Sequence, residues 1–204
     1  MLKQNDASKG MQSKLGTALS VIPITPNQWT VLSVVLALAA ASVIAVTGNV
    51  GLGLALFALA AIFDIIDGAV ARARGEVTKL GGFIDGVADR FVEAIFLFSM
   101  MFLPLPLILV DAKIWVALLI FLGTCMPSFI RAYADHKEVI TKEKALALGG
   151  IFERSERLIL LVIGLAAGII YSMDLFIYAV IFSCVLSLIT LLQRLAMILA
   201  QPKV

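Results

Sequence analysis

Histidine and cysteine are almost missing from this chain of 204 residues, which has one His and two Cys. Cys125 and Cys184 both fall in apolar runs, where a buried thiol is the plain reading and a disulfide or a cysteine metal site has no support. His136 stands in a charged loop with no second histidine to form a site, so it reads as solvated. Charged residues make up only 15% of the chain. Low-complexity segments, strong repeats and a separate soluble domain are lacking. A cleavable signal peptide is not expected, because the first long apolar run starts only near Trp29, after Pro23 and Pro26.

What the chain has instead is hydrocarbon character. It is 61% hydrophobic, with a mean hydropathy of +1.05. Apolar runs of about 20 residues read as transmembrane helices, and this length leaves room for about six. The expected fold is an all-α integral membrane protein with six transmembrane helices and a short N-terminal interfacial helix. It is expected to form one membrane domain over residues 1–204, with a juxtamembrane segment 1–27 and a six-helix bundle 28–200. The spans are placed at 28–47, 52–74, 80–103, 113–134, 154–171 and 174–200, divided by Thr47-Gly48-Asn49, Arg74-Gly75, Pro104-Leu105-Pro106, the polar stretch 135–153 and Ser172 to Asp174. The interfacial helix is expected over 7–20, where Met11, Leu15 and Leu19 share a face. Of the 16 Lys and Arg residues, six spans put all but Lys113 on one side. The positive-inside rule then places both termini on the cytoplasmic side of the cell membrane.

Against this background the run Asp64 to Asp89, D-I-I-D-G-A-V-A-R-A-R-G-E-V-T-K-L-G-G-F-I-D-G-V-A-D, stands out. A carboxylate in the membrane costs ~2.5–3.5 kcal/mol on insertion scales, so four of them demand a metal, a partner or a watery cavity. Asp64 and Asp67 are one helical turn apart, with Gly68 and Ala71 continuing their face. Gly81, Asp85 and Asp89 form a row at spacing four on the next helix. The loop between is short, so the two carboxylate pairs converge near the membrane surface, with small residues clearing space. Hard oxygen ligands without His or Cys suit Mg²⁺ or Mn²⁺, and four carboxylates could hold two ions, an arrangement used in phosphoryl transfer. Arg72 and Arg74 just beyond are placed for phosphate oxygens. Simple solvation, or pairing with Arg72, Arg74 and Arg90, is the bland alternative; two facing pairs flanked by glycines favour the functional one.

The pattern D-x2-D-G-x2-A-R-x8-G-x3-D-x3-D is met at Asp64, Asp67, Gly68, Ala71, Arg72, Gly81, Asp85 and Asp89. In this, and in Thr25-Pro26-Asn27 ahead of the first span, the chain resembles the CDP-alcohol phosphatidyltransferases along essentially its whole length. That resemblance implies a six-helix membrane enzyme of phospholipid biosynthesis. A CDP-linked lipid, CDP-diacylglycerol or CDP-archaeol, would be attacked at its β-phosphorus by a small hydroxyl acceptor, with CMP leaving. Asp64, Asp67 and Asp85 would be metal ligands, and Asp89 a ligand near the second metal and the candidate general base. Gly68, Ala71, Arg72 and Gly81 would line the CDP site, with Asn27 near the pyrophosphate. A homodimer in the bilayer is expected, with the active site on the cytoplasmic side and no nucleic acid as partner.

The acceptor is read from arginines. Arg131, Arg154, Arg157 and Arg194 all map to the cytoplasmic ends of the last three helices, facing the side where the aspartates lie. Ordinary membrane-side anchoring is the plainer explanation of any one of them. Arg154 and Arg157, however, sit at a helix start, where cations oppose the dipole unless an anion, or Glu153 and Glu156, offsets them. A phosphorylated alcohol fits this cluster better than serine, choline or ethanolamine. The segment E-R-S-E-R is similar to the branch of the family that uses inositol 1-phosphate, the phosphatidylinositol phosphate and archaetidylinositol phosphate synthases. Glycerol 3-phosphate is the runner-up. Two rivals fare worse. A transporter would place charge at midspan, and an Asp-rich prenyltransferase would need a second aspartate motif after residue 134, where Asp135 and Asp174 stand apart.

Overall fold

The computed structural model describes residues 14–200. They fall into two compact units that meet in sequence between Leu103 and Pro104. Residues 7–13 of the expected interfacial helix lie outside the described residues, as do Lys3 and Lys203; 14–19 are helical.

The first unit contains α1 (Pro26–Thr47), α2 (Val50–Arg74) and α3 (Lys79–Met100). Each boundary has a local cause. Thr25 caps α1 in a reciprocal box with Gln28, and Pro26 occupies the first turn, where its missing N–H costs nothing. Gly48 and Gly75 end α1 and α2 at φ 68° and 67°, the left-handed region that glycine enters without strain. Asn49 and Thr78 cap α2 and α3. Helix α3 stops at Met100, three residues before the expected 103, because the chain must turn ahead of Pro104. Helix α1 packs closely on both α2 and α3. A Cβ at Gly53 would overlap Ile44, so α1 and α2 approach through that glycine. Helices α2 and α3 meet through side chains, with Phe57 stacked on Phe96 at 4.0 Å between ring centroids.

The second unit opens with a two-stranded antiparallel ribbon, β1 (Leu107–Ile108) and β2 (Val110–Asp111). Leu109 turns it at φ 63°. Helix α4 (Ala112–His136) follows. Its middle, Ile120–Cys125, is π-helical, with Met126 N–H bonded five residues back to Phe121. Pro127 comes next and has no N–H to give, so the wider turn absorbs the break. A short α5 (Lys142–Ala147), capped by Thr141, interrupts the polar stretch that the sequence reads as loop. Ala145 anchors it on Ala134, Ile140 and Ile198. Helices α6 (Arg154–Ile170) and α7 (Met173–Leu199) pack along each other. A Cβ at Gly164 would strike Ala179, and one at Gly168 would crowd Phe176, so these glycines serve packing within the chain.

Among the described residues, four helices are long and apolar enough to cross a membrane: α1, α2, α4 and α7. Helix α3 carries Lys79, Asp85, Asp89, Arg90 and Glu93, and α6 has only 17 residues. Large apolar side chains face outward in rows, such as Val31, Val35 and Leu38 on α1, a surface suited to lipid and costly in water. Cys184 is buried as expected, but Cys125 is exposed. In such a chain an apolar run need not be interior.

Candidate active site

The last turns of α2 and the first turns of α3 carry the acidic residues. Carboxylate oxygens of Asp64, Asp67 and Asp85 all lie within 4.8 Å of one another. Asp67 is buried, and the other two are half-buried. Three like charges this close repel strongly in a low-dielectric setting unless a cation sits among them. The donor set is oxygen only and fits Mg²⁺ or Mn²⁺. Asp89 is not part of this group. It lies one turn beyond Asp85, with Oδ2 3.3 Å from Nη1 of Arg90.

The structure adds two residues to those the sequence pattern singles out. Thr30, buried in α1, donates its hydroxyl to Oδ2 of Asp67. Helix α1 therefore forms a third wall and fixes the carboxylate. Glu93, a further turn along the Asp85–Asp89 row, is fully buried. A polar residue at Thr30 within an apolar span was the available signal for the first of these.

Beside the carboxylates opens a cleft of about 240 Å³. Asn27, Thr30, Asp67, Gly68, Ala71, Arg72, Gly81 and Asp85 are among the residues that line it. All five positions expected for CDP are thus on its wall. Gly68 makes room for the Arg72 guanidinium, whose Nη1 would be 3.2 Å from a Cβ there. At Gly81 a Cβ would come within 3.1 Å of the Thr78 hydroxyl, with Asn27 Oδ1 in ordinary contact at 3.5 Å. The start of α3 also faces the cleft, where Thr78 accepts from the Gly81 N–H at 2.9 Å. The positive end of the helix dipole there favours an anion. The cleft wall thus carries carboxylates suited to cations and, from Arg72 and the start of α3, positive charge suited to phosphate.

Arg74 departs from expectation. Its guanidinium is committed to the main chain, donating to the carbonyls of Ser20, Ile22 and Ile24. A phosphate role beside Arg72 gives way to a clamp on the segment leading into α1.

In the second unit, Arg157 and Arg194 are buried, and Arg131 and Arg154 are half-buried. Gly123, in the π-helical turn of α4, makes space for Arg157, whose Cδ would lie 3.1 Å from a Cβ there. Arg194 donates through Nη1 to the Pro127 carbonyl at 2.7 Å, with Nη2 3.7 Å from Glu153. Gly123, Pro127 and Arg131 recur at spacing four, so Arg157 and Arg194 reach the face of α4 from which Arg131 springs. Glu153 and Glu156 form a capping box at the start of α6. These glutamates answer the dipole conflict of Arg154 and Arg157, so that conflict is no argument for a bound anion. Thr190 and Gln193 of α7 hold the preceding loop through the N–H groups of Phe152 and Ile151.

A model of the family described as CDP-alcohol phosphatidyltransferase matches residues 23–199. An archaetidylinositol phosphate synthase from Pyrococcus horikoshii is 34% identical over 182 residues, spanning 89% of this chain and 87% of that protein. A phosphatidylinositol phosphate synthase from Corynebacterium glutamicum is 31% identical over 180 residues, or 86% and 78% of the two chains. The fold is similar to that of Mycobacterium tuberculosis phosphatidylinositol phosphate synthase with CDP-DAG bound, at a TM-score of 0.77 and 23% identity over 95% of this chain and 96% of that one. The same enzyme in complex with manganese and citrate gives 0.78 at 23% identity, covering 94% and 90%.

Proposed function

Because the chain belongs to the CDP-alcohol phosphatidyltransferase family, we propose that it transfers the phosphatidyl-type group of a CDP-linked lipid to inositol 1-phosphate, releasing CMP. The observation that carries this is the Asp64–Asp67–Asp85 centre beside a cleft that Arg72 and the start of α3 also line. The acceptor rests on two inositol phosphate-type synthases that the chain resembles along most of its length.

Asp64, Asp67 and Asp85 are the residues that would hold Mg²⁺ or Mn²⁺, with Asp89 one turn on toward a second ion. When bound, such ions offset the charge of the pyrophosphate and of the departing CMP. Arg72 and the positive end of the α3 dipole orient the same pyrophosphate. Gly68, Ala71 and Gly81 keep the cleft wall low enough for the cytidine to lie against backbone, and Asn27 supplies a side-chain amide. Asp89 accepts the proton of the attacking hydroxyl. Arg131, Arg154 and Arg157 form the pole that receives the acceptor's phosphate, and Arg194 adds its charge from a position fixed by Pro127 and Glu153.

The reading includes one catalytic domain over 1–204 and six spans, with α3 and α6 added to the four longest apolar helices. The charge along α3 is then the functional exception to an apolar span. Both termini and the aspartates lie on the cytoplasmic side, as the positive-inside distribution supports. A homodimer is part of the reading, and light scattering in detergent tests it.

The test of the acceptor is CMP release by purified protein with CDP-diacylglycerol and Mn²⁺. Inositol 1-phosphate is compared with glycerol 3-phosphate, free inositol and serine. A preference for inositol 1-phosphate is expected. A preference for glycerol 3-phosphate would move the chain to the phosphatidylglycerophosphate branch, and a preference for serine or free inositol would remove the phosphate-binding role of the arginines.

A further inference from the structure

Arg74 is a charged residue that the reaction as described does not use. It stands in the last turn of α2, where its charge suits the helix dipole. Its guanidinium reaches three successive alternate carbonyls, with Nε and Nη2 on Ser20 at 3.2 and 2.8 Å, Nη2 also on Ile22, and Nη1 on Ile24 at 2.9 Å. Those carbonyls belong to the stretch between the helical residues 14–19 and α1, which makes few regular backbone bonds of its own. Two more contacts press the stretch onto the same helix. A Cβ at Gly16 would overlap the carbonyl of Ala69 on α2. Ile22 and Ile24 pack on Trp29, Ile66 and Val70.

Directly after this strap come Thr25, Pro26 and Asn27. Pro26 and Asn27 line the cleft, and Thr30 one turn later holds Asp67. The strap thus leads straight into the cleft wall at Pro26 and Asn27, whereas the carboxylates are borne by α2 and α3 and their α1 partner Thr30 sits a further turn inside the helix. We infer that Arg74 is a positioning residue for the nucleotide half of the site: it fixes the Pro26–Asn27 wall through the backbone of Ser20 to Ile24. This rests on the proposed use of a CDP-linked lipid. A lysine does not reproduce this clamp, because Nε, Nη1 and Nη2 donate from three separate atoms of a planar fork around the turn, whereas an ammonium donates from one.

The experiment compares wild type, Arg74→Ala, Arg74→Lys and Gly16→Ala in detergent. Steady-state CMP release is measured against CDP-diacylglycerol and against acceptor, along with calorimetric binding of CDP and of Mn²⁺. Wild-type CMP release is the control for the reaction itself; the variant-to-wild-type ratios concern Arg74 alone. Arg74→Ala and Arg74→Lys are expected to raise the CDP-diacylglycerol KM and weaken CDP binding about tenfold. The kcat, the acceptor KM and Mn²⁺ binding should stay within about twofold. Gly16→Ala, which lifts the strap while leaving Arg74 in place, should reproduce the pattern, and it decides the matter if Arg74→Ala does not fold. Unchanged CDP affinity in folded variants would overturn the inference, as would full rescue by Lys or a fall in kcat and both affinities together.

Discussion

The Thr30 hydroxyl donates to Oδ2 of Asp67 in a buried contact, joining α1 to α2 at the carboxylate centre. The same hydroxyl lies 3.2 Å from the Pro26 carbonyl in the turn before it, the competing acceptor for its single proton. A ligand oriented in this way keeps its lone pairs aimed without waiting for the cation.

Removing that hydroxyl while keeping its shape is therefore informative. Thr30→Val should weaken Mn²⁺ binding about 10- to 100-fold, the usual cost of losing an outer partner of a metal ligand. Thr30→Ser should restore most of it. Electron paramagnetic resonance titration of free Mn²⁺ reads this directly. Equal affinity in Thr30→Val would leave Asp67 oriented by α2 alone.

A second expectation concerns Gly68. Its missing Cβ leaves room for Arg72, whose Nη1 would be 3.2 Å from it. Gly68→Leu should displace that guanidinium and fill the cleft, abolishing CDP binding in calorimetry while the protein still inserts. Ala71→Leu should act in the same direction. Wild-type CDP affinity in both would mean that this face packs on protein.

The arginines of the second unit should separate by what they touch. Arg154→Ala should raise the acceptor KM about 10- to 100-fold, the worth of one charge-assisted bond of ~1.5–3 kcal/mol. Its CDP-diacylglycerol KM should hold. Arg194→Ala leaves the Pro127 carbonyl without its 2.7 Å partner, so it should also lose about 1–3 kcal/mol of stability, seen as a lower Tm in detergent. An Arg194→Ala protein with the wild-type Tm would make Arg194 a pure substrate ligand.

Much of this was legible in the sequence, for reasons that differ between elements. Gly48, Gly75 and Pro104 punctuate apolar runs, and each break falls beside a helix end. The spacing of Asp64, Asp67 and Asp85 brought them together because helical period and a short loop leave little freedom. The π-helical turn at Ile120–Cys125 was not legible, since a uniformly apolar run has no periodic stripe for one extra residue to disturb. Its trace is Pro127. Arg72 and Arg74 look alike in the sequence, yet one lines the cleft and the other clamps a strap. What separates them is the path of residues 20–24, which no periodicity encodes. Cys125 went outward because hydrocarbon solvent removes the link between apolar and interior.

The central claim is that carboxylates on α2 and α3 run a metal-dependent transfer from a CDP-linked lipid. The most direct measurement is CMP release from labelled CDP-diacylglycerol with inositol 1-phosphate, in Mn²⁺ and in chelator, for the wild type and Asp85→Asn. The expected result is acceptor-dependent CMP with matching phosphatidylinositol phosphate in Mn²⁺ alone. Both the chelator and Asp85→Asn should lower the rate by orders of magnitude. Full CMP release in chelator, or from Asp85→Asn, would contradict the account.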